Sequence, residues 1–189
     1  MLVMGIDHGT KITGYGFLEM DLETKKWTYV DHGFIRETKV SYPLSLFFMA
    51  DQIRRLIRDI QPNLIIFEGP KSMRGFKAHQ ALVELLGCLK GVAIQCNKPY
   101  IEIEPTSMKS IVAGNGWASK EEVARSVSTI LKIPYEELVG VEYYKTGYKK
   151  GQVKRYILDG TDALALALAL PDYYKRFRRI DYKGVGNDL

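Results

Sequence analysis

The stretch "ILDGTDALALALAL" (residues 157–170) decides how the chain is read. From Ala163 onward alanine and leucine alternate, a period of two that would suit a strand. Neither residue is β-branched and both are strong helix formers, so propensity favours a helix. A helix that is apolar all round is a buried one. The apolar run is far short of the roughly 20 residues that cross a membrane. Two acids stand at its head. One reading makes Asp159 the N-cap and puts Asp162 in the first turn, where the helix dipole favours a carboxylate. The other starts from the fact that residues three apart share a helix face. Two carboxylates so placed repel unless a cation lies between them.

Outward from this segment, the chain opens on strands and then alternates strands with helices. "LVMGID" (residues 2–7) is a short apolar run that ends in an acid and is closed by Gly9. "TGYGFLEMD" (residues 13–21) and "KWTYVDHGFI" (residues 26–35) are rich in aromatic and β-branched residues, with a polar turn between them. "PLSLFFMADQIRRLIRDI" (residues 43–60) has apolar residues at helical spacing and stops before Pro62. "NLIIFEG" (residues 63–69) is a buried-strand run that again ends in an acid. A second helix, "KAHQALVELLGCLKGVAIQC" (residues 77–96), leads to a fifth strand, "PYIEIEP" (residues 99–105). Two short helices follow, at residues 106–114 and 119–131, then an irregular stretch over 132–158. Three meandering strands plus two reached through helices predict a mixed antiparallel and parallel sheet. The expected fold class is α/β, a ribonuclease H-like mixed five-stranded sheet flanked by helices.

The bulk numbers fit one ordinary domain spanning 1–189, with 46% hydrophobic and 26% charged residues. The net charge of +5 is compatible with a polyanionic partner. Cys88 and Cys96, if on one helix, are too far apart for a disulfide, which points to a reduced, cytoplasmic setting. The N-terminal "MLVMGIDHG" lacks the regions of a signal peptide, and no segment has the length and apolarity of a membrane span.

Asp7 and Glu68 each end a strand and are followed closely by glycine. Alone, either one reads as a turn residue. Together with Asp159 and Asp162 they form a different pattern, because a ribonuclease H-like sheet brings both strand ends and the late helix to one edge. Four carboxylates gathered there need divalent cations, and oxygen ligands suit Mg²⁺ or Mn²⁺. Two such ions, about 3.5–4 Å apart, clamp the attacking and leaving oxygens of a phosphodiester. His8, His32 and His79 are scattered, and His8 is read as a supporting or surface residue.

At this point the motifs are familiar. "GIDHGTKITGYG" (residues 5–16) resembles the opening of the RuvC family of Holliday junction resolvases, and "IIFEGP" (residues 65–70) its second acidic strand. "EPTSMKSIVAGNGWASKEEV" (residues 104–123) and "DGTDALALAL" (residues 159–168) resemble its later motifs. The resemblance implies an endonuclease that cuts four-way DNA junctions with two metal ions per site and acts as a homodimer. It implies metal-binding roles for Asp7, Glu68, Asp159 and Asp162, and places Lys109 and Lys120 near the DNA backbone or the developing charge. In the family, the region of "KSMRGFK" (residues 71–77) meets the junction, which makes Lys71, Arg74, Phe76 and Lys77 candidate DNA contacts. Phe76 reads either as a wedge at the crossover or as a core residue starting the next helix.

Two departures stand out. His8 replaces the family's usual proline, and the 132–158 connection is long. The connection contains "YYKTGYKKGQVKRY" (residues 143–156), with five basic residues interleaved with four tyrosines. Lys145, Lys149, Lys150, Lys154 and Arg155 could neutralise phosphates while the tyrosines stack on unpaired bases. Equally, the segment reads as a surface loop or hairpin with its tyrosines packed inward. A basic tail begins near residue 172. Three other readings compete: a broader branched-DNA nuclease, a YqgF-like RNA-processing nuclease, and a non-catalytic junction-binding module. An actin-like ATPase needs a second, duplicated domain, for which the chain is too short.

Overall fold

The structure is a computed structural model that describes residues 1–69 and 76–177. Strands β1 (Leu2–Asp7), β2 (Ile12–Met20) and β3 (Trp27–Arg36) come first, followed by helix α1 (Leu44–Ile60) and β4 (Leu64–Glu68). Then come α2 (Phe76–Gln95), β5 (Tyr100–Ile103), α3 (Pro105–Ala113) and α4 (Lys120–Leu131). The short α5 (Tyr135–Leu138), β6 (Gly140–Tyr143), β7 (Val153–Ile157) and α6 (Asp159–Phe177) complete the order. The main sheet runs β3-β2-β1-β4-β5, antiparallel within the meander and parallel from β1 to β4 to β5. This is the expected mixed five-stranded sheet.

Period-two alternation divides the sheet between two cores. Val3, Leu18, Leu64, Ile66, Ile101 and Ile103 face a core completed by α3, α4 and α6. Met4, Ile6, Phe17, Ile65 and Phe67 face the opposite core, under α1 and α2. Among the described residues no helix is long and apolar enough to cross a membrane.

The alanine–leucine segment is a helix, and glycines in the sheet explain its composition. Gly5 pairs with Gly16 across β1 and β2, and Gly14 pairs with Asp7. A Cβ at Gly5 would stand 1.9 Å from the Ala163 carbonyl oxygen, and one at Gly14 1.9 Å from that of Asp159. The paired glycines therefore form a trough into which the α6 backbone sinks, and small alanines at 163, 165, 167 and 169 let it seat fully. Burial on this scale is why the helix carries no polar residue between Asp162 and Pro171.

Two expectations need correction. Asp159 is the first residue of α6, not the residue before it. The Leu158 carbonyl accepts from the Asp162 amide at 3.0 Å and from the Thr161 hydroxyl at 2.7 Å, so Leu158 takes the cap position. The stretch over 132–158 is not irregular: β6 and β7 pair antiparallel as a separate two-stranded ribbon, the hairpin of the two forms the sequence left open. Three of its four tyrosines, Tyr143, Tyr148 and Tyr156, are exposed rather than packed inward, and Tyr144 is half-buried.

Candidate active site

The site is assembled at the C-terminal ends of β1 and β4. The register pairs Ile6 with Phe67, which puts Asp7 and Glu68 side by side, one residue further along. Ile6 and Phe67 face the α1–α2 core, so alternation turns both acids toward the side where α6 lies. Both acids are buried. The loop after Asp7 is fixed by Thr13, whose hydroxyl donates to the Gly9 carbonyl at 2.9 Å and accepts from its amide at 3.3 Å. After Glu68, the Gly69 amide donates to the Ile103 carbonyl at 2.8 Å, tying that end to β5.

Helix α4 supplies the charge that holds the acids together. Ser119 caps it through a reciprocal capping box with Glu122, which fixes the helix start and hence Lys120. The Lys120 ammonium lies 3.2 Å from Asp7 Oδ2, 3.2 Å from Asp159 Oδ1 and 2.7 Å from Asp162 Oδ2. Burial alone would lower the lysine's pKa. The charges of Asp7, Asp162 and Asp159 outweigh it and hold the ammonium well above the usual lysine range. Burial pushes the Asp162 carboxyl above the usual carboxylate range despite Lys120, with Asp7 and Asp159 adding to the rise.

Around this cluster is a cleft of about 230 Å³, lined by Asp7, His8, Glu68, His79, Lys120 and Asp159 among others. His8 is buried at its wall. A larger hollow of about 790 Å³, lined in part by Thr10, Lys11, Lys39 and Lys77, contains no cluster of acids and starts one residue beyond the cleft's Gly9. Three of the four carboxylates, Asp7, Glu68 and Asp159, line the smaller cleft.

The donor set fits a hard divalent ion: the acids at the cleft are carboxylates, and among the described residues no cysteine lines it. Asp162 Oδ1 is buried and has no hydrogen-bond partner among the described residues, which leaves it a lone pair to give. Among the described residues, however, no three ligating side chains already stand close enough to enclose an ion. Lys120 occupies the centre and supplies the positive charge.

The remaining candidates are placed as follows. The Lys109 ammonium donates to the Ala118 carbonyl at 2.5 Å, bracing the turn before α4. Lys77 is exposed beside the larger hollow. Lys71 and Arg74 lie outside the described residues, and Phe76 contributes only the first backbone position of α2. Lys145 and Lys150 are exposed, and Lys149 sits over the Tyr144 and Tyr148 rings at 5.6 and 5.5 Å. Lys154 and Arg155 bond Glu142 across the ribbon at 3.0 and 2.7 Å, and Arg36 of β3 reaches the same carboxylate at 3.3 Å. Glu142 does not stand out in the sequence. Its signal is its register, opposite Arg155, which is visible only once the ribbon is known.

Known proteins resemble the chain in sequence and in fold. The family model described as "Crossover junction endodeoxyribonuclease RuvC" matches residues 3–138. A curated relative of that name from Shewanella oneidensis is 35% identical over 138 residues, covering 70% of this chain and 76% of its own. The Thermus thermophilus RuvC structure with Holliday junction substrate superposes with a TM-score of 0.72 at 21% identity, covering 93% of this chain and 96% of that one. The yeast mitochondrial Holliday junction resolvase Ydc2 gives 0.59 at 19% identity, covering 93% and 83%. Both share the ribonuclease H-like sheet. The family match stops before Asp159 and Asp162, which the fold brings back to Asp7 through Lys120. The chain belongs to the RuvC family of crossover junction endodeoxyribonucleases.

Proposed function

We propose that this protein is a metal-dependent, structure-selective DNA endonuclease that resolves four-way junctions by paired phosphodiester hydrolysis. The observation that carries the reading is the sharing of one ammonium by Asp7, Asp159 and Asp162 at the sheet end that also holds Glu68. Family membership and the junction-bound Thermus relative support branched DNA as the substrate.

Asp7, Glu68, Asp159 and Asp162 would hold Mg²⁺, with Mn²⁺ accepted, and four carboxylates suit two ions per site. Held by these residues, the metal would supply activation of the attacking water and charge stabilisation at the leaving oxygen. Water's oxygen bonds to phosphorus as one P–O ester bond breaks, and the departing oxygen leaves carrying a proton. The paired strand ends fix the positions of Asp7 and Glu68. Lys120 would neutralise phosphate charge beside the acids. Lys109 serves as a positioning residue, because its ammonium braces the turn that presents Lys120.

The DNA path extends to Lys77 and to the ribbon, through Lys145, Lys149 and Lys150 at its tip and Lys154 and Arg155 on its stem. On the strength of the family motif it includes Lys71, Arg74 and Phe76. Two symmetric cuts call for two copies of the site, and a two-fold dimer presents them. Helix α2 supports such a contact, since Val83, Gly87 and Ile94 are exposed along its length. The free thiols of Cys88 and Cys96 suit a reducing, cytoplasmic setting.

The test is incubation with labelled four-way junction and matched linear duplex, with and without Mg²⁺. Metal-dependent cutting of the junction with the duplex spared is expected. Cutting of neither substrate under Mg²⁺ or Mn²⁺ would remove the proposal.

A further inference from the structure

Trp117 is 89% exposed, although tryptophan usually buries most of its surface. It stands in the turn between α3 and α4, and that turn is held at several points. The Trp117 amide donates to Asn115 Oδ1 at 3.0 Å, and the Ala118 amide donates to the Asn115 carbonyl at 3.0 Å. Ala118 is itself buried, and its carbonyl takes the Lys109 ammonium at 2.5 Å. A Cβ at Gly116 would stand 3.2 Å from the Thr106 carbonyl, so the turn lies tight against α3. The backbone beneath the indole is thus fixed on both sides while the ring projects into solvent. A rigid aromatic ring gives a large contact at a low entropic cost.

The position of the turn indicates what the ring meets. Trp117 precedes Lys120 by three residues, so their Cα atoms are at most about 11 Å apart. Lys120 touches three of the four acids. A phosphodiester reacting at the acids therefore brings its own neighbouring bases within reach of the indole. The surroundings argue against a protein partner. Asn115, Ser119, Lys120 and Glu121 are exposed and polar, so the apolar surface is one ring wide. A stable protein interface needs about 800 Å² on each side, and an aromatic side chain supplies about 150–250 Å². One ring matches one base.

We propose that Trp117 is a stacking platform for the base next to the scissile phosphate, and a specificity-determining residue for branched over continuous DNA. The inference rests on the branched-DNA reading above. In a continuous duplex every base is already stacked on both faces, and offering one to Trp117 requires unstacking it. At a crossover the helical stack is interrupted, and a base face is open without that cost.

Trp27 is the protein's only other tryptophan, so the full-length Asp7→Asn, Trp27→Phe variant reports Trp117 alone and does not cut its ligand. Binding of a four-way junction, followed independently by anisotropy, should quench Trp117 emission at least about twofold, with little change on matched linear duplex at equal occupancy. Since Trp27 packs against a core, a second measurement leaves it in place. In the otherwise unaltered protein, Trp117→Ala should lower the preference for cutting junction over duplex about tenfold, and Trp117→Phe should retain most of it. Unchanged emission on a junction that is bound, or unchanged selectivity in Trp117→Ala, would overturn the proposal. So would blue-shifted emission that rises with protein concentration in the absence of DNA, since that places the ring against a second copy. No junction binding at all by anisotropy would overturn the branched-DNA reading, and this inference with it.

Discussion

Lys120 Nζ lies 2.7 Å from Asp162 Oδ2, and the same ammonium reaches Asp7 and Asp159 at 3.2 Å each. A single lysine thereby stabilises three carboxylates that would otherwise repel one another. Any metal ion entering the site needs the same oxygens, so metal and lysine compete. Replacing Lys120 with methionine should tighten Mn²⁺ binding by about tenfold or more in calorimetry, while the metal-free protein melts lower because its acids are left uncompensated. Unchanged metal affinity in Lys120→Met would show that the lysine does not hold the metal's place.

Asp159→Asn separates charge from helix capping. The Leu158 carbonyl already receives the Asp162 amide and the Thr161 hydroxyl, so the helix start does not depend on the Asp159 carboxylate. Stability should change by no more than about 0.5 kcal/mol. Cleavage should fall at least about a hundredfold, because a charged oxygen is lost from the proposed metal-binding set. Retained cleavage would reduce Asp159 to a helix-end residue.

How much of this is readable from sequence varies by element. The apolar runs ending in Asp7 and Glu68 are buried strands, and their place among the helices is enough to give the mixed sheet. Gly5, Gly14, Gly16 and the alanines of α6 are each visible, but as separate features. That they are two sides of one contact depends on packing between segments about 150 residues apart, which no local pattern encodes. The sequence leaves loop and hairpin open for the ribbon because β7 is exposed at every position except Ile157, so it has no buried face to produce alternation. Lys120 is one of 27 basic residues. The family motif marks it, but only the fold shows that it sits among the acids.

The ribbon should respond to acid through Glu142. Hydrogen bonds and charges from Lys154 and Arg155 hold its carboxyl down at about 2. In the unfolded chain a glutamate titrates near 4.3. A depressed folded value means that the stabilisation is complete above the unfolded pKa and is lost as pH falls through the folded one. Amide exchange in β6 and β7 should therefore be slow above about pH 4.5 and accelerate between there and about pH 2. Exchange that is insensitive to pH across that window, after correction for the intrinsic rate, would show that Glu142 does not anchor the ribbon.

The same ion pairs divide the ribbon's basic residues. Replacing Lys145, Lys149 or Lys150 with serine should lower the log–log salt slope of junction binding by roughly 0.9 for each phosphate that is no longer neutralised. Replacing Lys154 or Arg155 should lower it by less, because both already bond Glu142. Equal slopes in all five variants and the parent protein would turn the ribbon away from DNA.

Gly87 tests the dimer without disturbing the monomer. A Cβ there meets nothing within 4 Å, and replacing a helix-interior glycine favours the helix by up to about 1 kcal/mol. Gly87→Arg should fold normally and sediment as a monomer if α2 forms the two-fold contact. A Gly87→Arg protein that remains dimeric would place the interface elsewhere.

Two copies of the carboxylate–lysine site should cut a four-way junction together. A supercoiled plasmid extruding a cruciform measures this directly: paired cuts within one binding event give linear DNA, and independent cuts give nicked circles. Linear product should appear from the earliest times, at limiting enzyme and in the presence of Mg²⁺. Nicked circles accumulating ahead of linear product, from a protein that sediments as a monomer with and without DNA, would contradict it.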